Sequence, residues 1–146
     1  MMKKLAEDNK SGKNGAYMTK LSAAIDTFDG ITKGLVGKAM SGDMGAPVRS
    51  ATPYLEAMGH VVLGWLLGEQ LLIADEKFEA LAKAKACTDE AAKAKLCADN
   101  NEAAFYAGKI ASSKFFIDTV LPKVDAIATQ IKADNKDFLS IPENAF

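Results

Sequence analysis

From Ala57 to Ala74 the chain is apolar on nearly every side that a helix could present. Met58, Val61, Val62, Leu63, Trp65, Leu66, Leu67, Leu71, Leu72 and Ile73 supply this character. Period-2 alternation is missing, so the stretch reads as helix rather than strand. A helix that is apolar all round has to be covered on several sides, which makes this one the central element of whatever fold forms. Gly59, His60, Glu69 and Gln70 interrupt the run, so no unbroken apolar stretch reaches the ~20 residues of a membrane span. Thr52 suits the N-cap, Pro53 the first turn, and Glu56 the positive end of the helix dipole. The helix is expected to run through Leu81 towards Ala86.

Two further long helices flank it. The first spans Gly15 to Met40, with Tyr17, Leu21, Ala24, Phe28, Ile31 and Leu35 stepping by three or four along one apolar stripe. The other spans Asn101 to Lys132, with Tyr106, Ile110, Ser113, Ile117, Val120, Leu121, Val124, Ile127 and Ile131 as its stripe. Pro122 falls inside that pattern and is expected to kink the helix, because the periodicity continues beyond it. Ser41 to Pro47 is breaker-rich and separates the first two helices. The Ala- and Lys-rich linker from Ala86 to Asn100 leaves room for one short helix, with Thr88 and Asp99 as N-cap candidates. The expected fold is an all-α, up-and-down helical bundle of three long helices plus that short one, around Trp65, Leu66 and Leu72. Residues 1–14 are expected to form a flexible N-terminal segment, and 15–146 a single helical-bundle domain.

Glycines inside helices cost about 1 kcal/mol each relative to alanine, so their placement needs a reason. Gly64 and Gly68 lie one turn apart, as do Gly30 and Gly34. Close approach of the two helices at these four glycines is the expected compensation.

Raw material for catalysis is sparse. Lys and Arg number 18 against 19 Asp and Glu, a net charge of −1, which lacks the basic excess of a nucleic-acid binder. One histidine and two cysteines exclude a multi-histidine metal site and a Cys/His zinc module. His60 has Glu56 and Gly64 at helical spacing, so it reads as a helix histidine rather than a ligand. Glu69 reads as lying on the solvated stripe of an otherwise buried helix; Asp75 and Glu76 stand at poor spacing to share acid–base work with it. Cys87 and Cys97 would lie about 15 Å apart on a continuous helix, and they read as free thiols of a reducing compartment; a turn between them would instead permit a disulfide. Phosphate-binding glycine loops and the CxxCH haem signature do not occur. No catalytic, cofactor-binding or metal-binding residue is assigned. The N-terminus lacks the apolar stretch of a signal peptide, so the expected location is cytoplasmic.

Three segments resemble a known family. Ala51-Thr52-Pro53-Tyr54-Leu55, running on through Gly59 to Gly64-Trp65, is similar to the start of the central helix in a C-terminal helical extension of acyl-CoA dehydrogenases. Phe105-Tyr106, Lys109, Phe115-Phe116 and Leu121-Pro122 resemble a later helix of that extension, and Ile141 to Phe146 its chain terminus. The extension occurs in long members of the family, including 3-methylmercaptopropionyl-CoA dehydrogenase-like ones. The resemblance implies an accessory domain of a FAD-dependent enzyme that oxidises acyl-CoA thioesters, with a structural, oligomerisation or active-site-buttressing role and no catalysis of its own. The implied partners are the remaining dehydrogenase domains or a second copy; the charge balance and the interrupted apolar run add the expectation of no nucleic acid and no membrane span. FAD is implied for the parent and not for these residues. The family's catalytic glutamate lies upstream of the extension, so Glu56, Glu69 and Glu102 are not its counterparts. The alternative is a standalone helical bundle that binds a partner protein or a small apolar ligand.

Overall fold

A computed structural model describes residues 1–145; Phe146, the last residue of the family-like terminus, lies outside them. Helices α1 (Met2–Asp8), α2 (Gly15–Met40), α3 (Gly45–Arg49) and α4 (Ala51–Ala84) come first. They are followed by α5 (Glu90–Asp99), α6 (Asn101–Thr119) and α7 (Lys123–Ala133). Two 3-10 turns, Asp137–Ser140 and Glu143–Ala145, close the described chain, which contains no strand among the described residues. The all-α expectation holds. The element count does not: the bundle has more helices than three long ones and a short one.

The order is up, down, up. Antiparallel packing of α2 on α4 brings Thr32 Oγ1 within 3.0 Å of Tyr54 Oη at one end and joins Lys13 to Asp75 at the other. Packing of α4 on α6 is antiparallel as well, with Gln70 beside Ser113 and the His60 ring beside Phe116. Parallel packing of α2 with α6 and α7 follows from these two, and Lys20–Asp118, Thr27–Asp125 and Lys38–Asp134 bridge them in sequence.

Helix α2 buries Leu21, Ala24, Ile31 and Leu35, with Tyr17 and Phe28 partly buried beside them, as its stripe requires. Met18, Leu71, Ile117, Leu121 and Val124 complete the fully buried centre. Trp65 and Leu72 pack against this centre half-buried, but Leu66 is 48% exposed and lies outside it.

The third helix breaks rather than kinks. Proline has no N–H and crowds the preceding turn. Helix α6 therefore ends at Thr119, and Val120 N–H and Leu121 N–H both donate to Phe116 O. Lys123 N–H donates to Val120 O and Val124 N–H to Leu121 O in tight turns that start α7. The apolar period survives the break because α7 continues in the direction of α6 against the same neighbours.

Local capping differs by a residue or two from the sequence reading. Ser50, not Thr52, precedes α4, and it caps through no side-chain bond. Asp89 caps α5 by accepting from Ala92 N–H at 2.7 Å, and Asn100 caps α6 by accepting from Ala103 N–H at 3.0 Å, each one residue beyond the candidates Thr88 and Asp99. Residues 1–14, read from sequence as flexible, carry α1, whose Ala6 is fully buried in the core.

The glycine pairs do not meet. Gly64 and Gly68 are buried, but they face Leu21 and Met18 of α2, with Leu121 added at Gly64. Gly30 and Gly34 are exposed, with nothing within 4 Å of where a Cβ would stand. The missing Cβ at Gly64 and Gly68 makes room for long leucine and methionine side chains instead of a second backbone.

Candidate functional site

Helix α4 is apolar all round, yet its own chain covers it on one side. Ala57, Val61, Gly64, Gly68, Leu71 and Ala74 form the buried seam. On the opposite side Leu55, Leu66 and Ile73 are 62%, 48% and 53% exposed. The helix is long and apolar enough, by length and composition, to cross a membrane, and 33% of its most apolar window is buried in the bundle.

Beside that outer stripe, α4 and α6 enclose an open cleft of about 340 Å³, lined by Leu66, Glu69, Gln70, Ile73, Ala74, Phe105, Tyr106 and Lys109. Its floor is fixed by a polar clasp. Gln70 Nε2 donates to the fully buried Ser113 Oγ at 2.9 Å and reaches Lys109 O at 3.4 Å. Burying the Ser113 hydroxyl without a partner would cost ~1–3 kcal/mol, so the clasp fixes how α4 and α6 face each other. At the rim, Lys109 Nζ lies 5.4 Å from the Phe105 ring centre, and Tyr106 Oη donates to Glu102 Oε1 at 3.1 Å. The Glu102 carboxylate pushes the Tyr106 phenol above its ordinary pKa. The cleft is an apolar trough with one free carboxylate and one ammonium at its edge. It suits an apolar guest or ridge.

A second cleft, of about 560 Å³, separates α4 from α5 and α6 and includes Cys97. Its cations are already engaged. Lys13 pairs with Asp75 and Glu79, Lys93 holds both oxygens of Glu79, and Lys114 lies over the Tyr17 ring. Lys13 and Lys93 hold the Glu79 carboxyl below its ordinary pKa.

At the far end of the bundle, Arg49 ties Asp43 of the α2–α3 loop to Asp134 at the end of α7, at 3.0 Å each. Lys136 also bonds Asp43, and Lys38 bonds Asp134. Lys136 and then Arg49 pull the Asp43 carboxyl down to about 2, and Lys38 and Arg49 lower Asp134. Asp134 takes a left-handed conformation, φ 41°, to end the helix and face this cluster. The network is structural: it pins the α2–α3 loop to the tail.

The residues weighed from sequence remain apart. His60 is half-buried, 3.6 Å from Glu56 Oε1, with no hydrogen-bond partner at Nε2. Glu56 is exposed, Glu69 edges the α4–α6 cleft, and Glu102 serves Tyr106. Cys87 and Cys97 are free thiols. Among the described residues no cluster of His, Cys, Asp or Glu is arranged to hold a metal ion. The clefts do not fit FAD: the first lacks a cradle for a pyrophosphate, and the lysines of the second are neutralised by carboxylates or spent on an aromatic ring. The sequence predicts cover for α4 on several sides and only a solvated stripe at Glu69, and does not reveal the exposed apolar face of Leu55, Leu66 and Ile73.

Comparison with known proteins places this architecture. The family described as "Acetyl-CoA dehydrogenase C-terminal like" matches residues 1–142. Butyryl-CoA dehydrogenase of Syntrophomonas wolfei is 30% identical over 96 residues, which is 66% of this chain and 13% of that protein. The broad-specificity linear acyl-CoA dehydrogenase FadE5 of Mycobacterium tuberculosis is 24% identical over 141 residues, which is 91% of this chain and 20% of that protein. The chain thus spans between 13% and 20% of the length of these curated relatives.

Proposed function

This chain belongs to the acetyl-CoA dehydrogenase C-terminal-like family, and we propose that it is a helical accessory domain of a FAD-dependent acyl-CoA dehydrogenase. Its role is structural: it buttresses the flavin-carrying portion or holds subunits together, and it performs no catalysis alone. The observation that carries this reading is the family match, which runs from α1 to the tail and so takes in the whole bundle. Chemistry supports it. Hydride transfer belongs to the cofactor, and a protein has to supply a phosphate cradle, a slot for the flavin ring and a base near the substrate α-carbon. The clefts here are committed to apolar contact and to internal ion pairs. We place the assembly in the cytoplasm, a reading supported by two unpaired thiols.

The test is direct. Purified chain incubated with FAD and desalted is expected to keep no absorbance near 450 nm and to reduce no dye with acyl-CoA substrates. A stoichiometric yellow protein with turnover would overturn the reading.

One observation favours a second reading, a standalone bundle that binds a small apolar ligand: the α4–α6 cleft is open and apolar. The coding sequence immediately upstream separates the two readings. An in-frame dehydrogenase supports the accessory domain, and a stop codon with a promoter supports the standalone bundle.

A further inference from the structure

An all-round apolar helix calls for cover on several sides, and the bundle covers α4 on one. At 100° per residue, Leu55, Leu66 and Ile73 fall within about 20° of a single line along α4, on the side opposite the buried seam. Phe105 of α6, 57% exposed, lines the same trough beside Leu66 and Ile73 and extends the apolar surface onto the second helix. Contiguous exposed apolar surface of this kind marks a contact site.

We infer that this outer α4–α6 face is where the domain docks on the flavin-carrying portion of its dehydrogenase, an apolar ridge of that portion seating between Leu66 and Phe105. The inference rests on the accessory-domain reading and names the surface it uses. Three observations select this occupant. The relatives carry the module in polypeptides of which it is 13% and 20%, so in them the rest of the enzyme is tethered within reach of this face. Tethering raises effective concentration enough for a modest patch to hold. The trough is edged by the Glu69 carboxylate and the Lys109 ammonium, which lipid tails would leave unsatisfied and a protein ridge with polar shoulders satisfies. The Gln70–Ser113 clasp holds the two helices at a fixed spacing, so the trough is preformed for a ridge of defined width.

The experiment compares amide hydrogen exchange over residues 58–73 and 105–115 in the 146-residue chain alone and in complex with, or joined to, the flavin-loaded dehydrogenase encoded with it. Sedimentation of both confirms attachment. The expected result is exchange slowed about tenfold or more in the enzyme. A Leu66→Glu/Ile73→Glu double variant should return it to the rate of the isolated chain, because carboxylates in the apolar contact break the docking. Val36→Glu, on the exposed side of α2, should leave it slowed. The changed side chains are about half exposed, so circular dichroism of the variants should match the parent.

Attachment without slowed exchange at this face would overturn the inference and leave the accessory role standing. No attachment to the dehydrogenase would overturn both. Protection already present in the concentrated chain alone and lost on dilution would assign the face to a second copy, against the inference. Flotation of the chain with neutral phospholipid vesicles, abolished by the double variant, would assign it to a membrane and also contradict the inference.

Discussion

A Cβ added to Gly64 would stand 2.9 Å from Leu121 Cδ1, so the missing side chain of α4 is the space that the leucine after α6 occupies. Leu21 Cδ1 closes the same space from α2 at 3.5 Å. Helices α2 and α4 and the turn between α6 and α7 therefore meet at one glycine. Gly64→Leu should overpack this junction and lower stability by about 1–3 kcal/mol in a denaturant titration. Unchanged stability would show that the junction yields without strain.

Gly34 provides the opposite case. Its Cβ position is open, and its backbone is helical and exposed. Gly34→Ala should raise stability by about 0.5–1 kcal/mol through helix propensity and a less flexible unfolded chain. Gly15→Ala should do the reverse, because a Cβ there would overlap the Lys10 carbonyl, a backbone atom that cannot swing aside. Thermal melts of the two variants should therefore shift in opposite directions.

Acid should loosen the far end of the bundle first. Lys136 and Arg49 hold the Asp43 carboxyl at about 2, below its ordinary 3.8, and Asp134 is lowered by Lys38 and Arg49. A carboxyl depressed in the folded state binds its proton more readily when unfolded. Its stabilisation is thus complete above about pH 4 and is lost as pH falls towards about 2. Both side chains are partly open to water, so the effect should be modest. Asp43→Asn should flatten the stability-against-pH curve between pH 4 and 2, measured by urea titration at each pH. A parallel, merely shifted curve would place the acid sensitivity elsewhere.

The sequence made the helical periods plain where one face is buried throughout. Leu21, Ile31 and Leu35 fall where their spacing puts them, and Ser113 belongs to its stripe because Gln70 satisfies it. Three features were not legible, each for a physical reason. Pro122 breaks α6 from α7, but both segments pack on the same neighbours, so the apolar period runs through as though the helix were continuous. Helix α1 fully buries Ala6 alone, with Met2 partly buried beside the core, too little to mark a stripe in seven residues. Leu66 and Trp65 looked equally central because an all-round apolar helix gives no sign of which side its own chain covers. That last ambiguity covers the face assigned above to docking.

The Gln70–Ser113 clasp should matter more than its size suggests. Gln70→Ala leaves the buried Ser113 hydroxyl unpartnered and should cost about 1–3 kcal/mol in unfolding free energy. Replacing both at once, with Gln70→Leu and Ser113→Ala, should recover part of that loss. A double-mutant cycle showing no coupling between positions 70 and 113 would remove the clasp as the element that sets the trough.

The accessory-domain account is tested most directly by the temperature at which the dehydrogenase releases its flavin, followed by flavin fluorescence, with and without residues 1–146. A domain that buttresses the flavin-carrying portion binds its folded state and not its unfolded one, so its presence should raise the release temperature. A shift of about 2–4 °C is expected for each kcal/mol of docking energy transmitted to a unit of ordinary size. Flavin release at the same temperature in both forms, in an enzyme whose subunit assembly is also unchanged, would contradict the account.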